Sequence, residues 1–395
     1  MESTRPPGSK RPLFAMLAAF AWLAALFVFV LPASPPHAVA VACDPGRPHD
    51  AGTFDLSIES GGVSRDYLLH VPASYTGDET VPLVLNFHGL GPNATDQANL
   101  SNLPAKADVE GFIVVGSQGL GSTLIPTAHW NVVLAPTSIG EADDLGFVID
   151  LLDALEAELC IDPEHVFVAG MSNGAEMASR LACSLSHRIA AVAPVAGVYF
   201  PPLSAEIPEA PGCPDTAGPV SIIAFHGDAD TIVPFNGGMG DLEGIQLTFR
   251  DIDDVIMPEW AANNGCRTTP EEQQVTEHVR LLRYPGCDQG AGLELYVVAG
   301  GRHQWPGAED FPQPDAADEI SATDLMWDFF QAHPLVEPPP ATATPAPADE
   351  GIAAPETGGG GGSDFPSAAL WVVGGLAAAL MAATSLTLFF AKRAR

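Results

Sequence analysis

Apolar residues recur in short runs across residues 53–332, and these runs alternate with segments of helical spacing. Residues 54–72 alternate apolar and polar positions around Gly61 and Gly62, which predicts an antiparallel hairpin. Helical spacing covers residues 143–159 and 322–332. The predicted buried strands read VPLVLNFHG, GFIVVGSQG, HVFVAG, IAAVAPVAG, VSIIAFHG and LELYVVAG. Strands that alternate with helices predict an α/β fold with a mainly parallel sheet and helices on both faces.

One predicted strand-to-helix junction carries a serine between two glycines. The segment HVFVAGMSNGAEMASRL, residues 165–181, changes from a β-branched run to helical spacing, and its centre fits G-x-S-x-G. In such a tight turn the serine hydroxyl is presented in the open, and Gly170 and Gly174 let strand and helix approach closely. The alternative is an ordinary turn marked by glycine and serine. The flanking strand and helix favour Ser172 as a nucleophile.

Polar side chains follow four of the predicted strands. His88 ends one strand, Ser172 another, the segment HGDAD at 226–230 a third, and His303 lies in the loop after the last strand. Ligands of parallel sheets bind beyond the carboxyl ends of the strands, so this edge is the expected active site. The alternative for His88 and His226, each followed by glycine, is that they are packed loop residues.

A serine nucleophile requires an imidazole to accept its proton and a carboxylate to orient that imidazole. His303 occupies the late loop in which a base is expected. Asp228 and Asp230 follow the same strand and compete for the role of the acid. The chain order of serine, aspartate and histidine is that of α/β-hydrolases.

Further site residues are expected around this triad. The backbone N–H groups of Leu90 and Asn173 are the predicted oxyanion donors, since one follows His-Gly and the other follows the nucleophile. Trp130, Phe235 and Trp305 are candidates for the lining of an aromatic substrate pocket, with core packing as the alternative.

Charge narrows the possible partners. The chain carries 49 acidic and 16 basic residues, a net charge of −33. Such a surface repels nucleic acid and other polyanions, so those partners are excluded. The acidity suits a high-salt or an acid-rich setting, and the composition does not decide between them.

The N-terminus resembles a targeting segment. Residues 13–31 are almost wholly apolar, follow basic residues and precede small residues that suit signal peptidase. Residues 1–40 are therefore predicted to be a signal peptide. A retained anchor is one alternative, and a lipoprotein with Cys43 at its lipobox is another.

The C-terminus predicts attachment to a membrane. Residues 334–366 are rich in Pro, Ala, Thr and Gly and are predicted to form an extended stalk after a catalytic domain at 43–333. Residues 367–391 include an apolar run long enough to cross a bilayer. The positive-inside rule then predicts that the basic tail 392–395 lies in the cytoplasm and that the catalytic domain is extracellular. The stalk sequence APETG resembles an LPxTG sorting signal, so sortase cleavage between Thr357 and Gly358 is an alternative to a simple membrane anchor.

Six cysteines, an even number, lie in the part predicted to be external. Cysteines in an exported domain indicate disulfides, and a bond between Cys266 and Cys287 is predicted. No cysteine or histidine spacing typical of a metal site is present, so neither a metal nor another cofactor is expected.

Four blocks of the sequence resemble those of one enzyme family. The segments NFHGLGPNATD, CIDPEHVFVAGMSNGAEMASRLAC, FHGDADTIVPF and GGRHQWPG resemble secreted polyhydroxybutyrate-depolymerase-type esterases, the group that includes feruloyl and acetylxylan esterases. The resemblance covers residues 53–332 and implies an α/β-hydrolase fold with Ser172 as nucleophile. It selects Asp230 as the acid and His303, next to a Trp-Pro pair, as the base. The chain departs from the family at Leu90, where a cysteine often follows His-Gly.

The expected function is therefore hydrolysis of a carboxylic ester by an extracellular, surface-tethered serine enzyme, through an acyl-enzyme. The expected acyl groups are hydroxyalkanoate, feruloyl or acetyl. An acyltransferase or a peptidase of the same fold is an alternative. A second alternative is a catalytically silent surface binding protein on a hydrolase scaffold.

Overall fold

The structure is a computed structural model. It describes residues 41–122, 125–132, 142–200, 213, 217–242, 245–308 and 316–336. The predicted signal peptide, membrane segment, basic tail and sorting motif lie outside the described residues, as does the stalk beyond residue 336. Within the described ranges, no helix is both long and apolar enough to span a bilayer.

The described residues form twelve strands and six α-helices. The strands are β1 (Gly52–Ser60), β2 (Val63–Val71), β3 (Val81–Phe87), β4 (Ile113–Ser117), β5 (Ile161–Met171), β6 (Ala191–Val195), β7 (Ser221–Gly227), β8 (Asn236–Leu242), β9 (Ile245–Asp251), β10 (Glu271–Gln274), β11 (Val279–Arg283) and β12 (Leu293–Val298). The helices are α1 (Ala94–Ser101), α2 (Leu103–Glu110), α3 (Asp144–Glu158), α4 (Asn173–Ser184), α5 (Met257–Asn263) and α6 (Ala322–Ala332).

Ten strands build one sheet in the order β1-β2-β4-β3-β5-β6-β7-β12-β11-β10. The six strands from β4 to β12 in this order are parallel, and the two strands at either edge pair antiparallel. The first eight positions follow the order of the α/β-hydrolase fold, so the predicted fold class is confirmed. The predicted hairpin is β1–β2, which turns at Gly61 and Gly62.

The sheet has an apolar cluster on each face because side chains alternate along each strand. Leu83 and Leu85 of β3 belong to the cluster that α3 covers, whereas Val84 belongs to the cluster covered by α2 and α6. Phe330 of α6 is fully buried, and its ring stacks on Phe167 of β5 with the centroids 4.5 Å apart. Truncation of such a buried ring to alanine costs about 3–5 kcal/mol of stability.

Three disulfides join parts of the chain that are distant in sequence. Cys266 is bonded to Cys287, the pair predicted from the sequence. The other two bonds, which were not predicted, are Cys43–Cys160 and Cys183–Cys213. The described residues contain no free cysteine.

The last described residues lie at the end of the sheet where β5 begins. The backbone N–H of Leu335 donates to the carbonyl of Glu164, at 2.8 Å. Glu164 is the fourth residue of β5, whereas Ser172 directly follows the last residue of that strand. The C-terminal end of the described chain and the serine therefore lie at opposite ends of one strand.

Candidate active site

Ser172 lies in a strained turn between β5 and α4. Its backbone angles are φ 56° and ψ −122°, and its N–H donates to the carbonyl of Val195 at 2.9 Å. A Cβ on Gly170 would lie 2.3 Å from the carbonyl oxygen of Gly174. A Cβ on Gly174 would lie 2.1 Å from the carbonyl oxygen of Phe87. Both glycines are thus required by close backbone contact, which explains their spacing around the serine.

The loops after β7 and β12 bring an aspartate and a histidine together. His303 Nδ1–H donates to Asp230 Oδ2 at 2.7 Å. The other carboxylate oxygen, Oδ1, accepts from the backbone N–H groups of Ile232 at 2.8 Å and Val233 at 3.0 Å. The Asp230 side chain is fully buried, whereas the His303 side chain is 12% exposed. A carboxylate fixed in this way sets the orientation and the tautomer of the imidazole.

A second histidine contacts the same carboxylate. Nε2 of the buried His226 lies 3.3 Å from Asp230 Oδ2 and 2.9 Å from the carbonyl oxygen of Val233. Burial alone would raise the pKa of Asp230, but the hydrogen bonds from His226 and His303 outweigh it and hold that pKa well below its usual range. Asp230 is therefore a carboxylate at neutral pH.

Asp228, the other candidate for the acid, has a different contact. Its Oδ1 accepts from the backbone N–H of Gly300 at 2.6 Å, and its side chain is exposed. This bond ties the loop after β7 to the loop that carries His303. The structure thus brings Asp230 to the imidazole and leaves Asp228 on the backbone nearby.

The loop after β3 approaches the serine from the other side. His88 is buried: its Nδ1–H donates to the carbonyl of Gly89 at 2.7 Å, and its Nε2 accepts from the N–H of Gly119 at 2.9 Å. Burial lowers the pKa of His88. Both of its ring nitrogens serve the backbone, which agrees with a packed loop residue. The loop places Leu90, a predicted oxyanion donor, in the wall of the cavity beside Ser172.

Asn173, the other predicted oxyanion donor, is the first residue of α4. The first N–H groups of a helix have no intrahelical acceptor, so its backbone N–H is available to a ligand. Its side chain holds Trp130 by two bonds: Oδ1 accepts from Trp130 N at 2.7 Å, and Nδ2 donates to Trp130 O at 3.2 Å. Asn173 Nδ2 also donates to Glu176 Oε2 at 3.0 Å.

Glu176 is a buried carboxyl that the sequence analysis missed. Burial raises its pKa to about 7, against an ordinary value of 4.5, and the bond from Asn173 opposes that rise only in part. Its neighbours Ala175, Met177 and Ala178 are fully buried. A glutamate within such a run on α4 was the signal available in the sequence.

A cavity of about 360 Å³ opens beside Ser172 and His303. Its walls mix apolar and polar side chains from the loop after β3, from α1 and from the end of β5, namely Leu90, Pro92, Asp96, Gln97, Asn99, Leu100 and Met171. The serine and the histidine thus face one space of a size that holds a small acyl or alcohol group.

The three aromatic residues predicted to line a pocket lie in the core instead. Trp130, Phe235 and Trp305 are 1%, 3% and 1% exposed, and none of them is among the described residues that line the cavity. Trp130 Nε1–H donates to the carbonyl of His88 at 2.9 Å, and Trp305 Nε1–H donates to Thr323 Oγ1 at 3.0 Å. The indole groups find inward hydrogen-bond partners, which permits full burial.

No group of three or more histidine, cysteine or acidic side chains within the described ranges could hold a metal ion.

Comparison with known proteins relates the chain to esterases. A family model for esterases of the PHB depolymerase type matches residues 65–210. Feruloyl esterase B of Piromyces equi is 32% identical over 60% of this chain, and the match spans only 42% of that protein. Feruloyl esterase D of Neurospora crassa is 28% identical over 77% of this chain and 94% of its own length.

Two further proteins are similar to this chain. A putative esterase, NocK, of Nocardia uniformis is 29% identical over 71% of this chain and 83% of its own length. The solved structure of an acetyl xylan esterase from Aspergillus awamori, 16% identical, superposes with a TM-score of 0.49 over 71% of this chain and all of its own. Residues 65–210 thus match the family of PHB depolymerase-type esterases, and the sequence relatives that the chain resembles include feruloyl esterases.

Proposed function

We propose that the chain is a serine carboxylic-ester hydrolase with Ser172, His303 and Asp230 as its catalytic triad. One observation carries the proposal: the buried Asp230 binds His303 Nδ1 at 2.7 Å, and His303 and Ser172 line one cavity. The bond to Asp230 leaves Nε2 of His303 as the nitrogen that accepts a proton.

The reaction then follows from the roles of these groups. Ser172 Oγ attacks the ester carbonyl while His303 accepts its proton, and the backbone N–H groups of Leu90 and Asn173 stabilise the oxyanion. His303 returns the proton to the leaving alcohol, which gives an acyl-enzyme. Water, deprotonated by His303, then attacks the acyl group, and His303 returns that proton to Ser172 Oγ as the acid is released. Asp230 stabilises the imidazolium in both halves of the reaction.

The substrate proposed is a neutral ester with a feruloyl, acetyl or hydroxyalkanoate acyl group. The names of the relatives support feruloyl or acetyl esters, and the family model supports hydroxyalkanoates. The cavity walls include Asp96 and no lysine or arginine among the described lining residues, and the chain has a net charge of −33, which disfavours anionic substrates.

A panel of feruloyl esters, acetylated xylan and hydroxybutyrate oligomers tests this function on residues 43–333. We expect hydrolysis of at least one class, and a loss of about 10⁴-fold or more in kcat in Ser172→Ala with unchanged melting temperature. Transfer of the acyl group to an added alcohol in preference to water would indicate an acyltransferase. Folded protein with no activity on any ester, amide or acceptor would indicate a silent binding scaffold.

We also propose that the enzyme is exported and anchored by residues 367–391 through the stalk at 334–366. The three disulfides support an oxidising, extracellular setting. Truncation after His333 should release active enzyme into the medium, and a full-length enzyme that is already soluble would contradict the anchor. Release only by wall-degrading enzymes, with a new C-terminus at Thr357, would indicate sortase processing instead.

A further inference from the structure

The second histidine at Asp230 has no role in the triad mechanism. The His226 side chain is fully buried at the end of β7, and Asp230 follows it four positions later. The titratable groups that face Asp230 in the described part of the chain are His226, from the end of β7, and His303, from the loop after β12. The ring of Phe235 packs on His226 with the centroids 5.8 Å apart.

The contacts fix which nitrogen of His226 carries a proton. Nε2 faces two groups that can only accept, the carbonyl of Val233 and the Asp230 carboxylate, so Nε2 is the donor. Nδ1 is buried and has no hydrogen-bond partner in the described part of the chain. A proton on Nδ1 would therefore be buried without an acceptor, which is costly.

We propose that His226 is a positioning residue that shares the charge of Asp230 and thereby sets the lowest pH at which His303 can accept the proton of Ser172. The proposal rests on the function proposed above. Asp230 Oδ2 accepts from His303 Nδ1–H and also lies 3.3 Å from Nε2 of His226, whose N–H points to the Val233 carbonyl as well. A carboxylate that also faces a second N–H donor stabilises an imidazolium beside it less, so the acid limb of the activity should lie at lower pH than without His226.

Two substitutions separate this role from simple packing. His226→Gln places an amide N–H close to the position of Nε2, where it can reach both acceptors. His226→Asn places its amide close to the position of Nδ1, which makes no hydrogen bond. Both variants keep a polar amide in place of the imidazole, and the Asn variant is smaller by one methylene, so packing loss is read from the plateau and the donor effect from the acid limb.

The experiment measures kcat/KM against pH for both variants and for the wild type. We expect the acid limb of the Asn variant to move up by about one pH unit, so that activity on that limb falls about tenfold. The Gln variant should keep the limb of the wild type. The alkaline plateau should stay within about threefold in both variants. A merely structural role would lower the plateau and leave the limb in place.

The titration of His303 is followed in parallel by NMR on the same proteins without substrate. It should move upward in the Asn variant alone. If the wild type hydrolyses no ester, the proposed function fails, but this titration still tests the role of His226. Equal His303 titrations in the two variants, or a Gln variant that behaves like the Asn variant, would overturn the proposal. If the Asn variant does not fold, His226→Met, which also lacks the donor, replaces it.

Discussion

Two buried carboxyls contact residues of the candidate site, Asp230 through His303 and Glu176 through Asn173, and their environments differ. Asp230, in the loop after β7, is 5% exposed, and Glu176, in the first turns of α4, is 7% exposed. Asp230 accepts two backbone N–H bonds and contacts two imidazoles. Glu176 accepts one amide N–H, from Asn173. The pKa of Asp230 is lowered, and that of Glu176 is raised to about 7.

For these two carboxyls, the number of hydrogen-bond donors decides whether burial raises the pKa or is outweighed. Burial raises the pKa of both groups, and only Asp230 has enough donors to reverse the effect. The two groups also act in opposite directions on stability. Asp230 contributes stability that is lost as the pH falls below about 4, whereas Glu176 reduces stability as the pH rises from 4.5 to about 7.

The largest expected effect comes from removing the charge of Asp230. Asp230→Asn keeps the shape but removes the charge that stabilises the imidazolium, and we expect a loss of about 10⁴-fold in kcat. The control is Asp228→Asn, which weakens one exposed bond to Gly300 and should cost no more than about tenfold. Steady-state kinetics of the two variants decide the matter. The reverse ranking would assign the acid role to Asp228.

A second, smaller effect concerns the Glu176 side. Between pH 4.5 and about 7, Glu176 keeps its proton in the folded protein and loses it in the unfolded chain. Glu176→Gln removes this difference. Relative to the wild type, the variant should gain about 3 kcal/mol of unfolding free energy between pH 4.5 and pH 8. Denaturant unfolding of both proteins at several pH values measures this difference. A difference that does not change with pH would mean that Glu176 ionises normally in the folded protein.

The smallest expected effect comes from removing the Asn173 amide, which donates a hydrogen bond to Glu176. Asn173→Ala should raise the Glu176 pKa further above 7, since the Asn173 bond lowers it. An infrared titration of the protonated carboxyl band measures the change, with Glu176→Gln identifying the band. Asn99→Ala, an exposed asparagine in the cavity wall, is the control and should leave the band unchanged. A Glu176 titration that stays in place would show that Asn173 is not its effective donor.

Much of the fold could be predicted from local patterns in the sequence. The hairpin around Gly61 and Gly62, the parallel strands and the helices at 143–159 and 322–332 lie where the apolar periodicity placed them. The strand–glycine–serine–glycine–helix pattern located the turn at Ser172, because such a turn is specified by residues adjacent in sequence. The β8–β9 hairpin and the antiparallel extension β11–β10 were not predicted, since β10, for example, reads EEQQ and buries nothing.

Those residues of the candidate site that follow strand ends could be predicted from the sequence. The hydrogen bonds between loops could not. Ser172, Asp230 and His303 follow strands that meet at one edge of the sheet. The bond from His226 to Asp230 and the bond from Asn173 to Glu176 depend on how loops fold back, which no periodicity records. Trp130 packs in the core, the alternative that the sequence left open, because the aromatic content of a loop does not reveal whether its N–H finds a partner inside.

The bond from Leu335 to Glu164 places the last described residues at one end of β5. Glu164 and Ser172 lie near opposite ends of this strand, which spans roughly 25 Å between them at about 3.3 Å per residue. The described chain therefore ends, at Val336, at the end of the sheet opposite the cavity that Ser172 and His303 line. A substrate that enters this cavity approaches from the end of the sheet that lies away from residues 335 and 336.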